Sequence, residues 1–288
     1  MAQFDGTALP LWPALLLVLV ALLAGAPIFA VLGGLALALF WHDGMPLASV
    51  SLSHYQITVN PSLPALPLFT LAGLVFARTG AAQRLGTLFV ALLGQGATGT
   101  VLAAALLCSC FTAFTGGSGV TILALGGLLL PLLLKAGYPE KRGISLVTSA
   151  SALGVLLAPS VPLIMYAIIA RVPINTMFLA GLLPALVMVA FLLVFGGYLR
   201  KPSSAGHAPK GEAPLKVPVE RPMLWPSVWA AKWEILAPVV AIGSLVSGLA
   251  TPTESAAVTA LYAILTQAWG HRELGWRLLG KCLSESAQ

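Results

Sequence analysis

Charge is what this sequence has least of. Only 8% of its 288 residues are Asp, Glu, Lys or Arg, against about a quarter in a soluble domain whose surface must face water. Nine acids and fifteen bases are too few to coat a soluble body of this length. With 58% hydrophobic residues and a mean hydropathy of +0.95, the chain has lipid as its main solvent and reads as an all-α polytopic membrane protein. Other absences narrow the function. Three cysteines do not make a disulfide scaffold, and Cys108 and Cys110 lie two apart in an apolar stretch, on different helix faces, as small apolar fillers. There is no HExxH, no Walker motif and no pair of acids at helical spacing within an apolar run. The four histidines, His42, His54, His207 and His271, sit in loops or at segment ends. A serine nucleophile at Ser118 therefore has no base near it in the sequence, and the chain does not read as an enzyme. The N-terminus has no basic n-region and too long an apolar run for a signal peptide.

What is present is long uncharged runs: Leu11–Trp41, Leu85–Leu134, Ile144–Ala170 and Val172–Leu199. Each exceeds the roughly 20 residues a helix needs to cross the hydrocarbon. A proline-dense run, Asn60–Ala77, and a last run, Ile235–Gly270, broken only by Glu254, add to these. Together they predict about seven to nine membrane segments, several of them discontinuous. The net charge of +6 is not a nucleic-acid signal. Arg200, Lys201, Lys210, Lys216, Arg221 and Lys232 gather in one proline-rich loop, as basic residues do on the cytoplasmic side of a bilayer. That loop, residues 200–232, divides a first membrane unit, 1–199, from a second, 233–288. "GAP" (Gly25–Pro27) and "ATP" (Ala250–Pro252) each head an apolar helix, a weak internal similarity between the two units.

Four polar interruptions are candidate sites, because lipid tolerates broken backbone only where protein or a lined cavity satisfies it. The first is Thr115, Gly116, Gly117, Ser118 and Gly119, near the centre of the Leu85–Leu134 run. It reads as an unwound helix whose carbonyls and hydroxyls coordinate a cation or substrate, or as a small-residue packing surface or plain turn. In the second, Pro159 and Pro162 flank Ser160, freeing carbonyls four residues back; the alternative is a kink without a ligand. The third, Asn60 to Pro67 with Ser62, is an extended entry to a helix or hairpin. In the fourth, Thr251, Pro252 and Glu254 have the spacing of a capping box, with proton or ion coupling at Glu254 as the alternative. Arg171, between two crossings, either attracts an anion or snorkels to the headgroups.

Read together, these stretches resemble the large, DctM-like membrane subunit of the TRAP (tripartite ATP-independent periplasmic) transporters. The resemblance rests on "GAPIFAVLGGLALAL", "NPSLPALPLFTLAGLVFARTG", "FTGGSGVTILALGGLLLPLLLKAGYPEKRGISLVTSASALGVLLAPSVPLIMYAI", "FLAGLLPALV" and "GLATPTESAAV", in the family's order. It implies an elevator-type fold of inverted repeats with re-entrant hairpins. It also implies a multi-pass permease in a bacterial inner membrane, importing small organic acids such as C4-dicarboxylates by sodium symport. Its partners would be a small membrane subunit and a periplasmic binding protein; no cofactor is implied beyond the coupling sodium ion. By similarity, sodium and substrate binding falls on Thr115, Gly116, Gly117, Ser118 and Gly119, with Pro159, Ser160 and Pro162 beside them. Many members have Ser-Gly-Ser where this chain has Thr115-Gly116-Gly117, so Gly117 offers backbone only. The second repeat's own hairpin is expected to be missing, leaving half a binding site and, as a second reading, a non-transporting scaffold or assembly partner.

Overall fold

A computed structural model describes residues 11–94, 96–199 and 223–287. Among them all regular structure is helical, and the chain groups into two compact units that divide after Asn60.

The first unit holds α1 (Leu11–Leu23), α2 (Ile28–His42) and α3 (Ala48–Thr58). α1 buries no side chain and α2 buries only Val31, although both are apolar all round. Helices of that kind present their side chains to lipid rather than to a core. α1 and α2 are joined at Gly25, whose φ of 85° closes the corner, and Pro27 is the N-cap of α2.

The second unit holds α4 (Ala65–Arg78), α5 (Ala81–Leu93), α6 (Ala97–Thr115), α7 (Ser118–Lys135), α8 (Glu140–Leu153), α9 (Val161–Ala170) and α10 (Ile174–Phe195). It continues with α11 (Leu224–Ala230), α12 (Lys232–Val246), α13 (Pro252–Leu265) and α14 (Trp276–Ser286). Residues 200–222 of the basic loop, with Arg200, Lys201, Lys210, Lys216 and Arg221, lie outside the described residues. α6 is the central helix: Val101, Ala103, Ala104, Ala105, Leu107, Cys108 and Phe111 are buried, while Cys110 is exposed on the opposite side. Helices in lipid gain little from apolar burial as such, because lipid tails are as apolar as leucine. What draws them together is close approach of small side chains and hydrogen bonds between helices. α13 shows both. Its buried Ser255, Ala256, Thr259, Ala260 and Ala263 form a stripe three and four residues apart, and α13 packs on α4 and α12. Ser255 Oγ donates to the Ala241 carbonyl of α12 at 2.8 Å, and Ser244 Oγ donates to Ser255 Oγ at 2.8 Å.

Among the described residues four spans are long and apolar enough to cross a membrane, six if the bent pairs α4–α5 (75°) and α11–α12 (58°) each count as one. That is fewer than the apolar runs predict, because glycines and prolines divide several runs into shorter helices. The Leu85–Leu134 run gives α6 and α7 as a hairpin: Leu107 of α6 and Leu128 of α7 both reach Gly86 of α5. At the α12–α13 corner Gly248 takes φ 70° after α12, and Pro252 is the first residue of α13. At the far end of α10, Arg142 Nη2 donates to the carbonyls of Gly196 (3.2 Å) and Gly197 (2.8 Å). Those bonds satisfy carbonyls that the helix end leaves open.

Candidate functional site

The break between α6 and α7 is two residues long. Gly116 caps α6 at φ 70° and its N–H donates to the Thr112 carbonyl at 2.8 Å. A side chain is disfavoured there twice over. The left-handed backbone suits glycine, and a Cβ would stand 2.9 Å from Cβ of Val161. Gly117 is extended, with φ −137° and ψ 126°, and α7 starts at Ser118.

Three threonines close over this break. Thr112 Oγ1 donates to Thr121 Oγ1 at 2.7 Å, and Thr115 and Thr121 share a hydrogen bond at 3.0 Å. The Gly117 carbonyl accepts from both Thr115 Oγ1 and Thr121 Oγ1 at 3.4 Å. Thr112 and Thr121 are fully buried and Thr115 is 4% exposed. No charged residue lies on α6 or on α7 before Lys135, so the polar groups here are neutral oxygens and helix ends. α6 ends on its carbonyls, the negative pole of its dipole, where α7 and α9 begin on their N–H groups, the positive pole.

The second interruption sits against the first. α8 ends in a tight turn, Gly154–Leu156, and Leu157 to Ser160 run to the start of α9. Ser160 is fully buried and donates to the Val155 carbonyl. It occupies the N-cap position of α9 without a side-chain capping bond, and Pro162 lies in the first turn. Gly154 presses on α6: a Cβ there would stand 2.5 Å from Cβ of Thr112. The two interruptions thus meet at two points, Gly116 with Val161 and Gly154 with Thr112.

The other candidates fall elsewhere. Thr251 and Glu254 form the capping box of α13: Glu254 Oε2 accepts from the Thr251 N–H at 2.7 Å, and Thr251 Oγ1 accepts from the Glu254 N–H at 3.4 Å. The Glu254 carboxylate is thus engaged by the local backbone. Thr253 Oγ1 donates to the Pro61 carbonyl at 2.7 Å, which places the α13 start beside the segment that carries Ser62. Asn60 belongs to the first unit, and Arg171 takes φ 55° at the end of α9. Of the break itself, Thr115 is buried, Gly116, Gly117 and Ser118 are half-buried, and Gly119 is exposed. The candidates read from the sequence did not include Thr112 and Thr121, which close over the break. The signal for Thr112 was spacing, since Ser109, Thr112 and Thr115 recur every third residue and share a helix face.

Apolar helices long enough to cross a membrane, interrupted by buried, charge-free polar breaks, define a multi-pass membrane protein. The family described as "Tripartite ATP-independent periplasmic transporter, DctM component" matches residues 15–288, and the chain belongs to that family. The family is a transporter permease and not an enzyme. The chain is similar to the C4-dicarboxylate TRAP transporter large permease protein DctM of Rhodobacter capsulatus, 29% identical over 286 residues, covering 94% of this chain and 63% of that protein. It is 30% identical over 267 residues to the isethionate TRAP transporter permease protein DctMQ of Oleidesulfovibrio alaskensis, covering 92% of this chain and 41% of that protein. With the ectoine TRAP transporter large permease protein TeaC of Halomonas elongata it shares 32% over 209 residues, 72% of this chain and 46% of that protein. The chain therefore spans less than two thirds of the length of each of these relatives.

Proposed function

We propose that this chain is part of the permease of a binding-protein-dependent, sodium-coupled secondary transporter that imports small organic acids, C4-dicarboxylates or similar carboxylates. The observation that carries the reading is the convergence, at Gly116–Gly117, of neutral oxygens with the N-termini of α7 and α9. Hydroxyl and carbonyl oxygens are the hard ligands a sodium ion takes, and broken helices supply them in many secondary transporters. Helix N-termini favour a carboxylate. An ion bound by neutral ligands keeps its full charge, so a neighbouring substrate carboxylate compensates it, and each binds better in the presence of the other. The relatives' names carry different cargoes; the carboxylate class is what the family resemblance implies, and the helix N-termini at the break support it. The partners of this reading are a small membrane subunit and a periplasmic binding protein, and its place is the bacterial inner membrane.

The test is uptake of labelled C4-dicarboxylate by cells that make the permease with its small subunit and binding protein, at limiting sodium. Thr115→Ala and Ser118→Ala should each raise the sodium needed for half-maximal uptake. Normal transport by both variants at limiting sodium would overturn the assignment.

A further inference from the structure

A second polar cluster joins the α4–α5 corner to the α12–α13 pair. Arg84, near the start of α5, aims Nε and Nη2 at one oxygen of Glu234 on α12, at 2.8 and 2.7 Å from Oε1. Its Nη1 donates to Glu273 Oε1 at 2.8 Å, and Nη2 also donates to Gln267 Oε1 at 2.9 Å. Gln267 Nε2 donates to the same Glu234 Oε1 at 3.1 Å, and Glu273 Oε2 accepts from the Gly80 N–H at 2.7 Å. The Glu234 side chain is only 1% exposed.

Two features of this cluster call for a further group. The first is its charge: two carboxylates, Glu234 and Glu273, face the single guanidinium of Arg84. The second is a pair of orphaned buried atoms, Glu234 Oε2 and His271 Nε2, which have no hydrogen-bond partner, although Nε2 stands 3.4 Å from Glu234 Oε1. A buried polar atom without a partner forfeits the hydrogen bonds water gave it, at a cost to the fold. A proton on His271 adds a positive charge beside the two carboxylates, and both ring nitrogens then become donors, with Nε2 standing 3.4 Å from Glu234 Oε1.

We propose that His271 and Glu234 form a proton-binding site, and that the bound proton tightens the clasp between the α12–α13 pair and the α4–α5 corner. The other groups facing it are fixed in charge around neutrality. Arg84 and Glu273 are paired, Gln267 is neutral, and Tyr262 of α13 donates its hydroxyl to the Trp233 carbonyl at 2.9 Å. Beyond them, Arg78 of α4 pairs with Glu285 of α14 at 2.6 Å, Lys232 lies over the Trp229 ring at 4.0 Å, and Arg272 follows His271 in the chain. Histidine is the one side chain here whose ordinary charge change falls between about pH 5 and 8. A site that exists only in the folded chain takes up its proton on folding, so the clasp is strongest in acid and weakens as pH rises through that range. This site is independent of the transport reading.

The test is the thermal unfolding midpoint of the full chain in detergent at about pH 6 and about pH 8. The parent should melt at least about 2 °C higher at the lower pH, the shift that roughly 1 kcal/mol produces in a chain of this size. His271→Gln and Glu234→Gln should both lose that difference, while His42→Gln should keep it. Hydrogen exchange of residues 266–275 in the parent, corrected for intrinsic rates, gives a reading that needs no variant, and protection should be several-fold higher at the lower pH. A parent that melts no higher at the lower pH, or a His271→Gln variant that keeps the difference, would overturn the proposal. So would equal protection of residues 266–275 at both pH values.

Discussion

The break at Gly116–Gly117 and the clasp at Arg84 both bury polar atoms between helices, yet the first holds no charge and the second little else. At the break, three threonine hydroxyls and a carbonyl bond to one another at 2.7 to 3.4 Å. Such neutral bonds are worth about 1 kcal/mol each, so they can be exchanged for bonds to an ion without stranding a charge. At the clasp, Glu234 and Glu273 meet Arg84 directly. There the loss of one partner leaves a buried charge, which costs far more than a lost hydroxyl bond. One arrangement suits a site that binds and releases; the other suits a joint between helices.

Substitutions should separate the two, and the largest effect belongs to the clasp. Arg84→Met, which strands Glu234, should lower stability by about 3–5 kcal/mol, read as a fall in the unfolding midpoint. The double variant Arg84→Met with Glu234→Met should recover most of that loss, since an apolar pair can replace a buried ion pair. Gly154→Ala comes next. Its Cβ would crowd Thr112, and overpacking of this kind costs about 1–3 kcal/mol. Because the strain falls on the break, uptake should drop as well. Thr121→Val keeps the shape and removes the hydroxyl that bridges Thr112 and Thr115. It should cost about 1 kcal/mol in stability, while raising the sodium requirement of uptake. If its effect on the midpoint equals that of Arg84→Met, the contrast between the two sites fails.

The smallest effect is in acid. Burial lifts the Glu273 carboxyl, but the Arg84 guanidinium and the Gly80 N–H outweigh it and hold the group below its ordinary value of 4.5. A carboxylate held low stabilises the fold above that value, and the contribution is lost as pH falls through the folded value. Glu273→Gln should therefore flatten the acid limb of an unfolding titration between about pH 5 and 3.

The break was legible in the sequence because it violates a rule on its own: glycines and hydroxyls in an uncharged run have no reason to be there unless something satisfies the backbone. The capping box of Thr251 and Glu254 was legible for the same reason, since its residues are three apart and need only local geometry. What the residues could not announce is pairing across the chain. Arg84 and Glu234 are 150 positions apart, each at the edge of an apolar run, and singly each reads as an interfacial charge. Likewise the approach of Gly154 to Thr112 depends on how α6 and α8 cross, which helical spacing does not encode.

The proposed function rests on the Gly116–Gly117 break, with the Thr112, Thr115 and Thr121 hydroxyls around it, binding the coupling sodium ion. The most direct measurement is the sodium dependence of C4-dicarboxylate uptake for the assembled transporter carrying Thr121→Val, compared with Thr251→Ala as a control in a helix cap. The account predicts that Thr121→Val needs about tenfold more sodium for half-maximal uptake, the consequence of losing about 1.4 kcal/mol of ion binding, while the control follows the parent. The same sodium dependence in Thr121→Val and the parent would contradict it.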